Sequence, residues 1–372
     1  MNKNIYHGFF FLIALLISQK LLSQKKEQKK DFAVIGYFAG RTTMIDSFPV
    51  KKLTHLIFCF THLKGNQMYI SNARDSATIQ KMVGFKKTKN PNLKIMISLG
   101  GWTGCYSCSN VFKTDSARKE FASSVKNLLN YFSADGFDLD WEYPVIAGPT
   151  GHPYSAQDKD DLTALLKTLR DSLGKQKELS FAAGGFTKFI NESVDWKQVI
   201  KYVDRINLMT YDLITGNDTV TGHHTALYSN PLQKESTDNA VTMLRKLHVP
   251  ANKLVVGAAF YARIWENVNA TNNGLYQHGK FKAGVSFRNF DTYFSKDSGY
   301  VYHWDTLTQA PYFYNGNKKY FATFDDTSSI KLKTEYAIKH KLNGIMFWQL
   351  ADDSFFANGL LDVIDNTKKK YK

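Results

Sequence analysis

The sequence predicts an α/β fold, a closed (β/α)8 TIM barrel carrying a small α+β insertion domain, and three observations predict it. Short β-rich apolar runs alternate with longer amphipathic stretches, as in βα units wound around a parallel sheet. Eight such runs occur, at residues 32–38, 53–60, 93–99, 136–141, 179–183, 205–209, 254–259 and 344–348. The 372-residue length exceeds the roughly 250 residues of a plain eight-fold barrel, and the surplus is localised. From 265 to 334 the chain turns aromatic and turn-rich, as in Tyr312-Phe-Tyr-Asn-Gly-Asn317 and Tyr320-Phe-Ala-Thr-Phe-Asp325. That pattern reads as antiparallel strands inserted between the seventh and eighth barrel strands.

Taken in order, the chain begins with an export signal at 1–23. Lys3 and His7 precede an apolar run over 8–17, and lysine-rich sequence begins by Ser23. The run is shorter than the roughly 20 residues a membrane helix needs, so no stable membrane span is expected. An uncleaved anchor is the alternative. The mature protein is expected to be secreted, extracellular or periplasmic, and monomeric. A basic tail at 24–31 follows, then the barrel over 32–264 and 335–365, the insertion over 265–334, and a second basic tail at 366–372. Helical spacing of apolar residues recurs between the strands, as over 118–131 and 160–173.

Composition narrows the function. The net charge of +15 is concentrated in lysines at the two ends, where charge runs are usually solvated. No helix-turn-helix, RNA-recognition or zinc-finger pattern accompanies them, so nucleic acid is not the expected partner. Hydrophobic residues make up 43% and aromatic residues 14% of the chain, enough for a core with rings left over to face a flat ligand such as a sugar. Of the three cysteines, Cys59 sits in the apolar run 56–60 and reads as a buried thiol, while Cys105 and Cys108 form C-x-x-C. Without a second cysteine pair or a histidine cluster nearby, a local disulfide is expected there rather than zinc. His223 and His224 are adjacent and would point apart, which argues against a metal role.

The informative segment is Asp135-Gly-Phe-Asp-Leu-Asp-Trp-Glu-Tyr143. Strand alternation sends Asp138, Asp140 and Glu142 to one side and Phe137, Leu139 and Trp141 to the other. With the apolar set under the helices, the acids point into the barrel at its carboxyl end, where barrel enzymes keep their active sites. Three acids in a closed interior resist ionisation together. Two arrangements relieve them, a bound divalent metal or proton sharing that leaves one carboxyl uncharged near neutral pH. Metal sites draw ligands from several loops, and no companion acids or histidines stand at the other strand ends in the right number, so proton sharing leads. A Glu142 with a raised pKa is then a general acid.

At this point the residues resemble glycoside hydrolase family 18, the retaining chitinases and their relatives, in the branch with an insertion between strands seven and eight. Its D-x-x-D-x-D-x-E is met by Asp135, Asp138, Asp140 and Glu142, and its S-x-G-G by Ser98-Leu-Gly-Gly101. M-x-Y-D matches Met209-Thr-Tyr-Asp212, Tyr-x-Arg matches Tyr261 and Arg263, and a strand-eight tryptophan matches Trp348. The resemblance implies cleavage of β-1,4-linked N-acetylglucosamine polymers, without cofactor or metal, through an oxazolinium formed by the substrate's own acetamide. It implies Glu142 as acid and then base, Asp140 orienting the acetamide, Asp138 sharing a proton with Asp140, and Tyr211 bonding to the acetamide oxygen. Asp212, Trp348, Tyr37, Trp102, Met209, Tyr261, Arg263 and Gly101 would line the substrate site, with Ser98 and Asp135 in support. Trp348 would floor the cleaved subsite, and the insertion aromatics Tyr276, Phe281, Tyr312 and Tyr314 are candidates for the wall of the groove, with filling of the insertion's own small core as the alternative. Chitin or its oligosaccharides are the implied partner. N-acetylglucosaminidase action on glycans or peptidoglycan, and a non-catalytic lectin on the same barrel, are the competing readings.

Overall fold

The computed structural model describes residues 32–371; the expected export signal and first basic tail lie outside them. In chain order the first strands are β1 (Ala33–Phe38), β2 (His55–Lys64), β3 (Gln67–Tyr69), β4 (Lys94–Gly100), β5 (Gly136–Asp140), β6 (Glu178–Gly184), β7 (Arg205–Met209) and β8 (Leu254–Ala259). Then come β9 (Tyr261–Glu266), β10 (Lys280–Ser286), β11 (Val301–Asp305), β12 (Ala310–Asn315), β13 (Tyr320–Thr323) and β14 (Gly344–Trp348). Parallel pairing runs β1-β14-β8-β7-β6-β5-β4-β2, and β1 pairs with β2 to close the barrel. β3 only extends β2 as an antiparallel hairpin. The eight strands expected from the sequence are the eight of this barrel.

The barrel strands are buried on both faces and mostly apolar on both, with a few buried polar residues such as Ser98, Asp138, Ser180 and Asn207 on the inner face. Outward residues pack under helices. Phe137 meets Phe121 with ring centroids 5.9 Å apart, and Trp141 meets Phe112 at 5.6 Å. The helix Asp115–Phe132 supplies that cover through Ala117, Phe121, Val125, Leu129 and Phe132 at helical spacing, and Thr114 caps it by accepting from the Ala117 backbone N–H. The helix Asp158–Leu173 packs beside it. Inward residues Ile35, Ile57, Met96, Ala182, Val255 and Met346 fill the lumen. Burying a single such side chain contributes roughly 1.5–3 kcal/mol, so the lumen is a core and not a pore.

A second, antiparallel sheet of order β10-β9-β13-β12-β11 is inserted between β8 and β14. It starts at Tyr261, earlier than the expected 265, because only Phe260 separates β8 from β9. It ends earlier too. The helix Thr327–Lys339 packs against β8 and β14 and belongs to the barrel. Trp265, Tyr312, Tyr314 and Phe321 form the insertion's own core, so Tyr312 and Tyr314 are packing residues and do not wall a groove. Tyr276 and Phe281 pack partly buried against the same cluster. The expected basic tail at 366–372 is also different. The helix Leu360–Lys369 runs through most of it, held by buried Leu360, Leu361, Ile364 and Thr367, and Lys368 Nζ donates to the Phe32 carbonyl at 2.9 Å. Among the described residues no helix is long and apolar enough to cross a membrane.

Candidate active site

Register brings three short polar side chains into one layer of the lumen. Ser98 on β4 lies beside Asp138 on β5, which lies beside Ser180 on β6. Asp138 is fully buried and accepts from four donors: Ser98 Oγ at 2.9 Å and Tyr37 Oη at 3.1 Å on Oδ2, Ser180 Oγ at 2.5 Å and Asn207 Nδ2 at 3.2 Å on Oδ1. Asn207 also donates to the Tyr37 hydroxyl at 2.8 Å. Burial raises the Asp138 carboxyl above its ordinary value and the four donors oppose that.

Two residues along, Asp140 has none of this support. It is 4% exposed, its Oδ1 is buried without a hydrogen-bond partner, and burial, then Glu142, then Asp138 push its pKa well up. Of the two neighbouring acids, Asp140 is raised with no donor to oppose it, whereas four donors hold Asp138 back. β5 ends at Asp140, and Glu142 sits just past the strand, partly buried. Burial raises the Glu142 carboxyl to about 7, a hydrogen bond from Tyr143 opposes this, and Asp212 adds repulsion.

The rim is built from the other strand ends. Tyr211 follows β7, its hydroxyl 3.8 Å from Met346 Sδ and its phenol pushed up by burial and then by Asp140, Glu142 and Asp212. Asp212 has φ of +53°, in the left-handed region where Asp is tolerated. Burial works against its ionisation, but Arg263 binds it with two N–H groups and His224 Nδ1 lies 3.4 Å away, so the carboxyl is held far below its usual range. Tyr261 packs 5.2 Å from the His224 ring. Trp348 ends β14, stacked on Phe60 at 5.6 Å and 6.1 Å from Tyr37. Met209 is buried in the lumen beneath them. Gly101, at φ +79°, donates its N–H to the Asp140 carbonyl, and a Cβ there would lie 2.4 Å from Phe60. Trp102 is 47% exposed, edge-on to Tyr143 at 6.3 Å.

One residue does not join the site. Asp135 lies before β5, at the amino end, paired with Lys86 at 2.7 Å and accepting from the Ile95 backbone N–H at 2.8 Å. Five residues of strand, roughly 16 Å, separate it from Asp140, so it anchors the strand and touches none of the acid row. Cys105 and Cys108 form a disulfide in the loop after Trp102, and Cys59 is a buried free thiol. His223 pairs with Asp305 and His224 with Asp212, in different directions. Among the described residues, no group of three or more His, Cys, Asp or Glu is arranged to hold a metal ion. Ser180, Asn207 and Phe60 stand at the site and were passed over in the sequence reading, and His224, weighed there only as a metal ligand, stands beside Asp212. A polar residue in an inward position of an apolar strand, as in 179–183 and 205–209, was the available signal for the first two.

Comparison with known proteins places this geometry. The family Glycosyl hydrolases family 18 matches residues 33–353. Chitinase A1 of Niallia circulans is 34% identical over 291 residues, 72% of this chain, though the chain spans only 42% of that relative's length. Chitinase B of Serratia marcescens is 28% identical, covering 87% of this chain and 81% of its own. The solved structure of a glycoside hydrolase family 18 N-acetylglucosaminidase from Paenibacillus barengoltzii superposes with a TM-score of 0.83 at 32% identity, over 91% of this chain and all of that one. A match across nearly the whole described barrel shows that the chain belongs to glycoside hydrolase family 18.

Proposed function

We propose that this chain is an exported chitinase that cleaves β-1,4-linked N-acetylglucosamine with retention of anomeric configuration, using the substrate's acetamide as nucleophile. The observation that carries the reading is the acid row itself: Glu142, raised to about 7, stands beside Asp140, which burial and its acidic neighbours raise well above the usual carboxylate range and whose buried Oδ1 has no partner in the protein. A carboxyl half-protonated at neutral pH is matched to giving and then retrieving one proton.

The sequence of events follows from the chain's own groups. A sugar ring lies over Trp348, and the glycosidic oxygen meets Glu142. Glu142 gives its proton to that oxygen as the C1–O bond breaks. The acetamide oxygen attacks C1 from the opposite face, its N–H donating to Asp140 Oδ1 and its oxygen held by the Tyr211 hydroxyl. As positive charge grows on the oxazolinium, the proton on Asp140 moves toward Asp138 and the carboxylate next to the ring becomes anionic. The four donors on Asp138 limit how far that proton moves, which sets the strength of the stabilisation. Glu142, now a carboxylate, takes a proton from water, whose hydroxyl opens the ring and returns the β anomer. Asp212, locked by Arg263, binds the distorted sugar.

Proton NMR of the first product resolved by anomer tests this directly. Initial β product and competitive inhibition by an N-acetylglucosamine thiazoline are expected; initial α product would remove the acetamide mechanism. Release of glycans from a glycoprotein in preference to dye from a chitobioside would move the substrate class to N-glycans.

A further inference from the structure

Glu142 follows the last paired residue of β5, so the register that fixes Asp138 and Asp140 does not reach it. Its backbone depends instead on the loop over 143–157. That loop folds back onto it: a Cβ on Gly148 would lie 2.2 Å from the Glu142 carbonyl oxygen. Ile146 is buried in the main core. Between these two anchors and the acid, Val145 has φ of +72°, a conformation that a β-branched residue keeps only where its surroundings impose it.

One side chain does so. Asp158 opens the helix Asp158–Leu173 and is fully buried. Its Oδ2 accepts from the Val145 N–H at 3.2 Å and the Ser155 N–H at 2.8 Å, which closes the loop near both of its ends. Its Oδ1 accepts from Ser155 Oγ at 3.1 Å and from Ser109 Oγ at 2.7 Å. Ser109 lies in the short helix Cys108–Val111 of the loop after β4, beside the disulfide-bonded Cys108 and in the same loop as Trp102. The two loops also meet at two ring contacts, Trp102 on Tyr143 at 6.3 Å and Tyr106 on His152 at 5.4 Å. Trp102 and Tyr106 are exposed, whereas the Ser109–Asp158 bond is buried.

We propose that Asp158 is a positioning residue for the acid: it holds the loop after Glu142 and the loop carrying Trp102 together as one wall beside the Glu142 carboxyl. This rests on the hydrolytic reading above and names what keeps its proton donor in place. Asp158 acts through Val145 and the returning loop on the Glu142 backbone. The consequence is electrostatic, because burial is the main cause that raises Glu142 to about 7, and a wall that opens lets water reach the carboxyl and favours its ionised form. The ionisable groups facing Glu142 are Asp140, Tyr143, Tyr211 and Asp212, and the four donors on Asp158 come from none of them.

The test is the pH profile of kcat/KM on a dye-linked chitobioside, with urea stability measured alongside. Asp158→Ala should lower kcat by about 10–10²-fold and move the alkaline limb down by about one pH unit or more. Asp158→Asn can turn its amide oxygen to the two backbone N–H groups and its NH2 to the two serine hydroxyls, so it should restore the wild-type limb and most of kcat. Ser109→Ala cuts only the link to the loop after β4 and should move the limb the same way by less; it carries the test if Asp158→Ala does not fold. Arg205→Met, at the amino end of the barrel, controls for lost stability alone and should leave the limb in place. A limb that stays in place in the folded alanine variants would overturn the proposal. So would one that moves as far in Asp158→Asn as in Asp158→Ala, since the effect would then belong to charge and not to position. Folded wild-type protein without turnover, or with turnover but no alkaline limb near 7, would instead overturn the reading of Glu142 as the acid.

Discussion

The two ends of this barrel bury carboxylates in opposite ways. At the amino end, Glu178 meets Arg205 and, at 3.0 Å, His55 Nε2, while Arg205 Nε donates to Asn343 Oδ1 at 2.8 Å. Burial pushes Glu178 up, but His55 and Arg205 outweigh it and the carboxyl is held far below its ordinary value. Asp135 is likewise paired with Lys86. At the carboxyl end, burial acts on Asp140 and Glu142 with no cation against them, and both rise. Glu178 at the amino end, like Asp212 beside Arg263 on the carboxyl-end rim, is thus held as an anion by its cation, whereas Asp140 and Glu142 rise where no cation meets them, and the placement of arginine is what differs. The paired end is built for stability; the unpaired end gives up stability for a transferable proton.

The sharpest way to break this contrast is to remove the proton. Glu142→Gln keeps the shape and should lower kcat by about 10²–10⁴ while oligosaccharide binding persists in calorimetry. Unchanged turnover would mean another acid. Asp140→Asn comes next. It leaves a neutral group that cannot become anionic beside the ring, so kcat should fall by about 10²–10³, while the alkaline limb of kcat/KM should stay in place, because the amide replaces a carboxyl that is already uncharged and Glu142 is raised by burial and Asp212. A limb that moves down in pH would show that Asp140 carries charge beside Glu142 in the free enzyme.

How much of this was legible beforehand depended on where each residue lies along the chain. Asp138, Asp140 and Glu142 were readable because they lie on β5 and the two residues that follow it and alternate with Phe137, Leu139 and Trp141, so a single period-two pattern identifies both faces. Ser180 and Asn207 were not, since each is one small polar residue in a distant apolar run, and only the β5-β6-β7 strand order and its register make them neighbours of Asp138. Asp135 was named only as a support, and spacing within a motif did not say that it would give that support from the opposite end of the strand, through Lys86 and the Ile95 backbone. The terminal lysines read as a tail because their charge masked the apolar stripe of Leu360, Leu361 and Ile364.

The paired end yields the opposite signature. Arg205→Met should destabilise the fold by about 2–3 kcal/mol in urea at neutral pH, because Glu178 loses its main cation and Asn343 its donor, while turnover stays near wild type. Loss of turnover without loss of stability would contradict the division of labour. The pH dependences also carry opposite signs. Glu178 is lowered, so its contribution to stability is present above the ordinary carboxylate range and lost as pH falls. Glu142 is raised, so its contribution is fully present below its ordinary value of about 4.5 and is lost as pH rises through about 7. Comparing urea midpoints of wild type with Arg205→Met and Glu142→Gln should show the Arg205→Met difference shrinking as pH falls below the ordinary carboxylate value of about 4.5, and the Glu142→Gln difference changing between about 4.5 and 7 with the opposite sign.

The central claim concerns the charge on one side chain, and it is measurable. Selective ¹³C labelling of glutamate carboxyls, with the Glu142 signal assigned by its absence in Glu142→Gln, allows that group to be titrated in the free enzyme. A midpoint near 7 is expected. A midpoint near the ordinary glutamate value would show that Glu142 is a carboxylate at neutral pH, and the acid role argued for it would fail.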